Sequence, residues 1–167
     1  MEETPAEVVA TPTVDRRYIL DQQLKNGASW FYWIAGLSVL NSLIFMFGGN
    51  VSFIVGLAIT QFVDGFFGAV AAEVNSPALP MIIKGMAIVM DLLVAGVFVA
   101  FGYLGRKGYR WAMITGIAIY LLDGVLYLIV ADWLPVLFHA WALWSIWTGL
   151  KAMNELKKEN QGGVAVA

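Results

Sequence analysis

A chain of 167 residues that is 60% apolar and only 13% charged lies outside the soluble range of roughly 45–50% and 25%. Its formal net charge of −2 provides no basic surface of the kind that drives nucleic-acid binding. With no cysteine, disulfides, thiolate metal sites and cysteine nucleophiles are excluded.

Met1 to Thr13 carries Glu2, Glu3, Glu7, Pro5 and Pro12 and reads as a polar tail, without the basic start and apolar stretch of a cleavable signal. From Asp15 to Asn26 the pattern changes. Asp15 is a capping residue, Tyr18, Ile19 and Leu24 share part of a face, and Gly27 suits a helix end, which predicts a short interfacial helix.

Five apolar runs follow: Trp30 to Phe47, Val51 to Ala72, Ala78 to Tyr103, Trp111 to Val130 and Leu134 to Leu150, of 18, 22, 26, 20 and 17 residues. About 20 helical residues cross the hydrocarbon, with a usable range of about 17 to 25. The links between runs are short enough to join antiparallel neighbours. Ser76 as a cap and Pro80 as an early helical residue predict the start of the third helix. The expected fold is an all-α polytopic transmembrane bundle with four or five membrane-embedded helices and a short N-terminal interfacial helix. It divides into a polar tail and interfacial helix over 1–29, a transmembrane domain over 30–150 and a short polar tail over 151–167.

Orientation separates the two span counts. The basic residues fall into three clusters: Arg16, Arg17 and Lys25; Arg106, Lys107 and Arg110; Lys151, Lys157 and Lys158. Cytoplasmic flanks collect Lys and Arg, and four crossings put all three clusters on one side, whereas five divide them. Four crossings require one early run to be re-entrant or folded within the bundle, and the second, interrupted by Gln61 and Asp64, is the candidate.

Three runs carry an aspartate at depth: Asp64, Asp91 and Asp123. Each charged side chain there costs at least about 2.5–3.5 kcal/mol and needs a partner, water or a proton. Thr60, Gln61 and Gly68 form a polar and small stripe with Asp64. Asp123 lies between Tyr120 and Tyr127, whose hydroxyls offer donors. Asp91 shares a face with Lys84 seven residues away, about 10 Å along the axis, too far for direct contact. Lys84 reads as snorkelling to an interface, which leaves Asp91 to find a donor among Lys84, Gln61, Asn41, His139 and the tyrosines, or to stay protonated. Ser38, Asn41 and Ser42 read as interhelical packing groups.

His139 has no second histidine and no Glu-x-x-His spacing, so it reads as a hydrogen-bonded structural residue with a proton-relay alternative, and no metal site is expected. Trp30, Trp33, Trp111 and Trp133 stand at run ends as interface anchors. No nucleophile with its base, metal cluster or cofactor fingerprint is present, so the reading is of a non-enzyme without cofactors.

At WFYWIAGLSVLNS (Trp30 to Ser42), FGYLGRKGYRWA (Phe101 to Ala112) and LLDGVLYLIVADWL (Leu121 to Leu134), the chain resembles a group of small bacterial multi-pass membrane proteins with no established activity. The resemblance implies a compact helical membrane domain in a bacterial inner membrane and assigns no site residues. The residues themselves support two functions. One is ion- or proton-linked transport through Asp64, Asp91 and Asp123, tuned by Gln61, Lys84 and His139. The other is an accessory or scaffold subunit, with the bilayer and a homo-oligomer or larger membrane complex as partners.

Overall fold

The computed structural model describes residues 15–47, 56–76 and 78–164, and among them every regular element is an α-helix. These are α1 (Arg16–Met46), α2 (Ala58–Ala72), α3 (Leu79–Arg106), α4 (Arg110–Ile129) and α5 (Trp133–Val164). The described residues are all-helical in their regular structure, and α1, α3 and α4 are long and apolar enough to cross a membrane. α5 falls outside that set; its apolar stretch carries His139, Ser145 and Thr148 and continues into a charged segment from Lys151.

Four of the helices make an up-down-up-down bundle. α1 packs against α3 and α5, and α4 packs against the same two, so α1 and α4 stand on the diagonal. Phe31, Phe98, Phe101 and Tyr120 fill the centre, their rings meeting at centroid distances of 6.0–6.2 Å, within the favourable range for aromatic pairs. The large side chains of the outer faces, among them Leu93, Leu122, Ile129 and Trp144, are exposed. An apolar exterior around a packed interior suits hydrocarbon surroundings.

α2 is a different kind of element. At 15 residues it is too short to span the hydrocarbon. Its first residues are buried beside Ser38, in the middle of the first apolar run, and beside Asp123 of α4. From there it runs along α3, its main packing partner, and ends at Ala72, seven residues before α3 begins. Gly56 and Leu57, assigned by sequence to the second apolar run, precede the helix, and Val51 to Val55 lie outside the described residues, as do Gly48, Gly49 and Asn50.

Two expectations are corrected. The segment from Asp15 is not a separate interfacial helix ended by Gly27: α1 runs unbroken from Arg16 to Met46, with the Asp15 side chain accepting from the Arg17 N–H at 3.0 Å. Gly27 is instead a crossing point, where a β-carbon would sit 2.7 Å from Gly149 Cα and 2.9 Å from the Ser145 carbonyl oxygen. Beyond this crossing, α1 and α5 continue together as an antiparallel pair. Leu20 and Leu24 join Leu150 and Met153 in the core, and Arg16 meets Glu155 at 3.0 Å and Glu159 at 3.4 Å. Residues after Leu150 are therefore helical up to Val164. Ser76 does not cap α3 either; the N-cap is Ala78, without a side-chain bond, while Pro80 occupies the first turn as expected.

The pairing of α1 with the end of α5 gathers the charges. Arg16, Arg17, Arg106, Lys107, Arg110, Lys151, Lys157 and Lys158 lie at the same end of the bundle, with Lys25 just inside it, and Lys84 alone among the described basic residues is near the other. Replacing Gly27 by Ala should force this crossing apart and cost about 1–3 kcal/mol. At Gly85 an added β-carbon meets nothing within 4 Å, so Gly85→Ala should be neutral or gain up to about 1 kcal/mol of helix propensity. Thermal unfolding of both variants in detergent checks this; equal melting temperatures would contradict the crossing.

Candidate functional site

The polar groups of the interior form two clusters, both organised by α2. A helix N-terminus leaves four N–H groups without intrahelical acceptors, and in a membrane interior each must find a protein partner. The N-cap, Leu57, has no side-chain acceptor. Other helices supply it. The Leu57 N–H donates to Ser38 Oγ at 2.8 Å, the Ala58 N–H to Asp123 Oδ2 at 2.8 Å, and the Ile59 N–H to Asp123 Oδ1 at 3.0 Å. One carboxylate from α4 thus caps the start of α2 with both oxygens, where the positive end of the helix dipole favours an anion.

His139 of α5 completes this cluster. Its Nδ1 lies 2.9 Å from the Pro135 carbonyl oxygen and its Nε2 3.1 Å from Asp123 Oδ2. A carbonyl only accepts, so Nδ1 carries a hydrogen. A second proton must then lie between Nε2 and Oδ2, since without it two lone pairs would face each other. Two N–H donors and the helix dipole stabilise the carboxylate, and the Tyr120 ring stacked on the imidazole, with centroids 4.2 Å apart and planes 17° apart, stabilises a cation. Gly124 permits the approach: a β-carbon there would meet His139 Cδ2 at 3.0 Å.

The tyrosines do not play the role their spacing suggested. The Tyr120 and Tyr127 hydroxyls are buried without a hydrogen-bond partner among the described residues, and it is their rings that face His139. The Gln61 side chain lies beside the Tyr127 hydroxyl.

The second cluster lies further along α2. Asp64 and Asp91 are 4% and 1% exposed, and their carboxyls face each other beside Ser42. Ser42 Oγ lies 3.2 Å from the Ser38 carbonyl oxygen, and its rotatable hydroxyl also reaches both carboxyls. Asp64 Oδ1 and both Asp91 oxygens have no hydrogen-bond partner of good geometry among the described residues. Lys84 does not relieve them; its ammonium lies 5.7 Å from the centroid of the Phe45 ring. Two carboxyls in contact repel one another when both are ionised, and neither forms an ion pair with a described residue.

A cavity of about 240 Å³, lined by Ala58, Gln61, Phe62, Tyr127, Val130 and Asp132, adjoins the start of α2. Asp132 is exposed there, at the end of the bundle away from the arginines. No group of three or more metal-ligating side chains occurs among the described residues.

The six residues singled out by sequence thus separate: Asp123 with His139, Asp64 with Asp91, Gln61 at the cavity wall, and Lys84 apart from both clusters. Sequence reading missed the Ala58 and Ile59 N–H groups and the Pro135 carbonyl, because backbone groups carry no side-chain signature. The one available sign was negative: no Ser, Thr, Asp or Asn stands at position 57. No family model, curated protein or solved structure matches the chain.

Asp123→Asn would leave one acceptor oxygen for two α2 N–H groups and turn an amide NH2 toward a donor. Leaving a buried donor unpaired costs about 1–3 kcal/mol, or roughly 3–10 °C in melting temperature for a chain of this size. Asp132→Asn, at an exposed position, should change little. A D123N protein as stable as the D132N protein would contradict the capping role.

Proposed function

We infer that the protein is a membrane carrier for protons or a small monovalent cation, with the Asp64 and Asp91 carboxyls as the binding site. The observation that carries this reading is their burial in mutual contact, with three oxygens unpartnered among the described residues. An intramembrane carboxyl pair of this kind takes up one positive charge to offset its own repulsion and desolvation. Ser42 Oγ and the two carboxyls supply oxygen ligands, the preference of a hard cation.

The topology that accompanies the reading has four crossings, α1, α3, α4 and α5, with α2 as a re-entrant half-helix. Support comes from the gathering of the arginines and all lysines but Lys84 toward one end, which the charge rule assigns to the cytoplasm. Half-helices that end at mid-bundle are the usual way carriers present polar groups to a substrate. The cavity at Gln61, Tyr127 and Asp132 lies beside the start of α2, away from the basic end, while Phe31, Phe98 and Phe101 pack the centre of the bundle.

An accessory or scaffold subunit is the alternative. It is favoured by Gly65, Gly85 and Gly96, where an added β-carbon would meet nothing within 4 Å, so these helix faces can accept a neighbouring helix closely.

In liposomes with an imposed pH or cation gradient, the wild type should show flux above empty vesicles. Asp91→Asn and Asp64→Asn should each reduce it at least about tenfold, the scale of losing one charge interaction of about 1.4 kcal/mol. Wild-type flux in both variants, or no flux above empty vesicles with either ion, would overturn the carrier reading and leave the accessory role.

A further inference from the structure

At the basic end, a cavity of about 420 Å³ lies between the start of α4 and the extension of α5, lined by Arg110, Asn154, Lys157, Lys158 and Gln161. Asn154, Lys157, Lys158 and Gln161 are spaced i, i+3, i+4 and i+7 and so form one helical face. The carboxylates of the same segment point elsewhere: Glu155 and Glu159 are paired with Arg16 and Arg17 of α1. The extension is thus sorted by charge, its acidic face against α1 and its basic face toward α4. Arg110, Lys157 and Lys158 form no ion pair with any described residue.

Three unpaired cations around one cavity repel one another, and a multiply accepting anion relieves them. Phosphate oxygens match the donor set, with a guanidinium able to bind in two-pronged fashion, two ammoniums as point charges and two amides as neutral donors. α4 begins at Arg110 without a side-chain cap, which leaves its first N–H groups for the same anion. Depth selects the source. Trp111, next to Arg110, is exposed at the end of its apolar run, where interfacial tryptophans lie, so the cavity falls in the headgroup layer of the adjoining leaflet. Basic pockets between helices at this level hold lipid headgroups.

We propose that this cavity binds the phosphate headgroup of one anionic phospholipid. The site is independent of the Asp64 and Asp91 pair, and its occupancy tests neither the carrier reading nor its alternative.

The experiment is a native mass-spectrometric titration of the full-length detergent-solubilised protein with phosphatidylglycerol, with phosphatidylcholine and inorganic phosphate as separate probes. One phosphatidylglycerol should bind in preference to phosphatidylcholine. Replacing Arg110, Lys157 and Lys158 together by Gln should weaken it on the order of 100-fold, at about fivefold per basic residue. A control triple, Arg106→Gln, Lys107→Gln and Lys151→Gln, removes equal charge from the same end and should leave binding within about threefold of wild type. Single variants at 110, 157 and 158 carry the test if the triple does not fold, each expected to lose roughly fivefold. Equal losses in the two triples would overturn the proposal in favour of diffuse charge attraction. So would binding of phosphatidylcholine with the same affinity. Tighter binding of free phosphate than of phosphatidylglycerol would overturn the lipid as the occupant.

Discussion

The Asp123 carboxylate, set on the N-terminus of α2, is the interaction on which the interior depends. A helix whose start is buried, as that of α2 is, has several N–H groups and no water to satisfy them. Asp123 answers two of these and Ser38 a third, which fixes both the depth and the rotation of α2. With the start of the helix pinned between α1 and α4, Asp64 falls opposite Asp91 and Gln61 falls beside Tyr127. The same carboxylate anchors His139, and through it α5. One side chain therefore ties α4 and α5 to α2, and the second acidic cluster owes its geometry to the first.

Much of this was legible in the sequence, for identifiable reasons. Long apolar runs signal membrane helices because hydrocarbon tolerates few alternatives, and α3 and α4 coincide with their runs to within a few residues. The aspartates stood out because charge at depth is costly, and all three are buried. The second run, singled out for Gln61 and Asp64, contains the short helix α2, yet the start of α2 was not visible, since its cap comes from residue 123, far along the chain. Gly27 misled because a glycine serves a helix end and a close helix crossing equally well; only the partner glycine at 149, which no local pattern connects to it, decides between them. The pairing of carboxyls was hidden for a similar reason. Spacing along one helix shows which residues share a face, but the rotation of α2 against α3 is set by tertiary contacts.

Charge is distributed with the same economy at both levels of the molecule. In the interior, one acid is matched by the helix dipole and a histidine, while two acids face each other without a described cation. At the surface, the carboxylates of the α5 extension are used against α1, and its cations are turned toward α4. Exposed ion pairs contribute little to stability, around 0–1 kcal/mol, so the effect of this sorting is mainly on where unpaired charge is presented. The bundle shows basic groups at one end and a small cavity with Asp132 and Gln61 toward the other.

The proposed carrier requires α2 to turn back within the bundle, and the absence of cysteine from the chain makes that directly measurable. Single cysteines placed at Ser76 and at Lys107 would be labelled by a membrane-impermeant maleimide added outside intact cells. A half-helix predicts labelling of Ser76→Cys from outside and of Lys107→Cys only after permeabilisation. Protection of Ser76→Cys together with external labelling of Lys107→Cys would mean that the second apolar run crosses completely, and would contradict the buried cap.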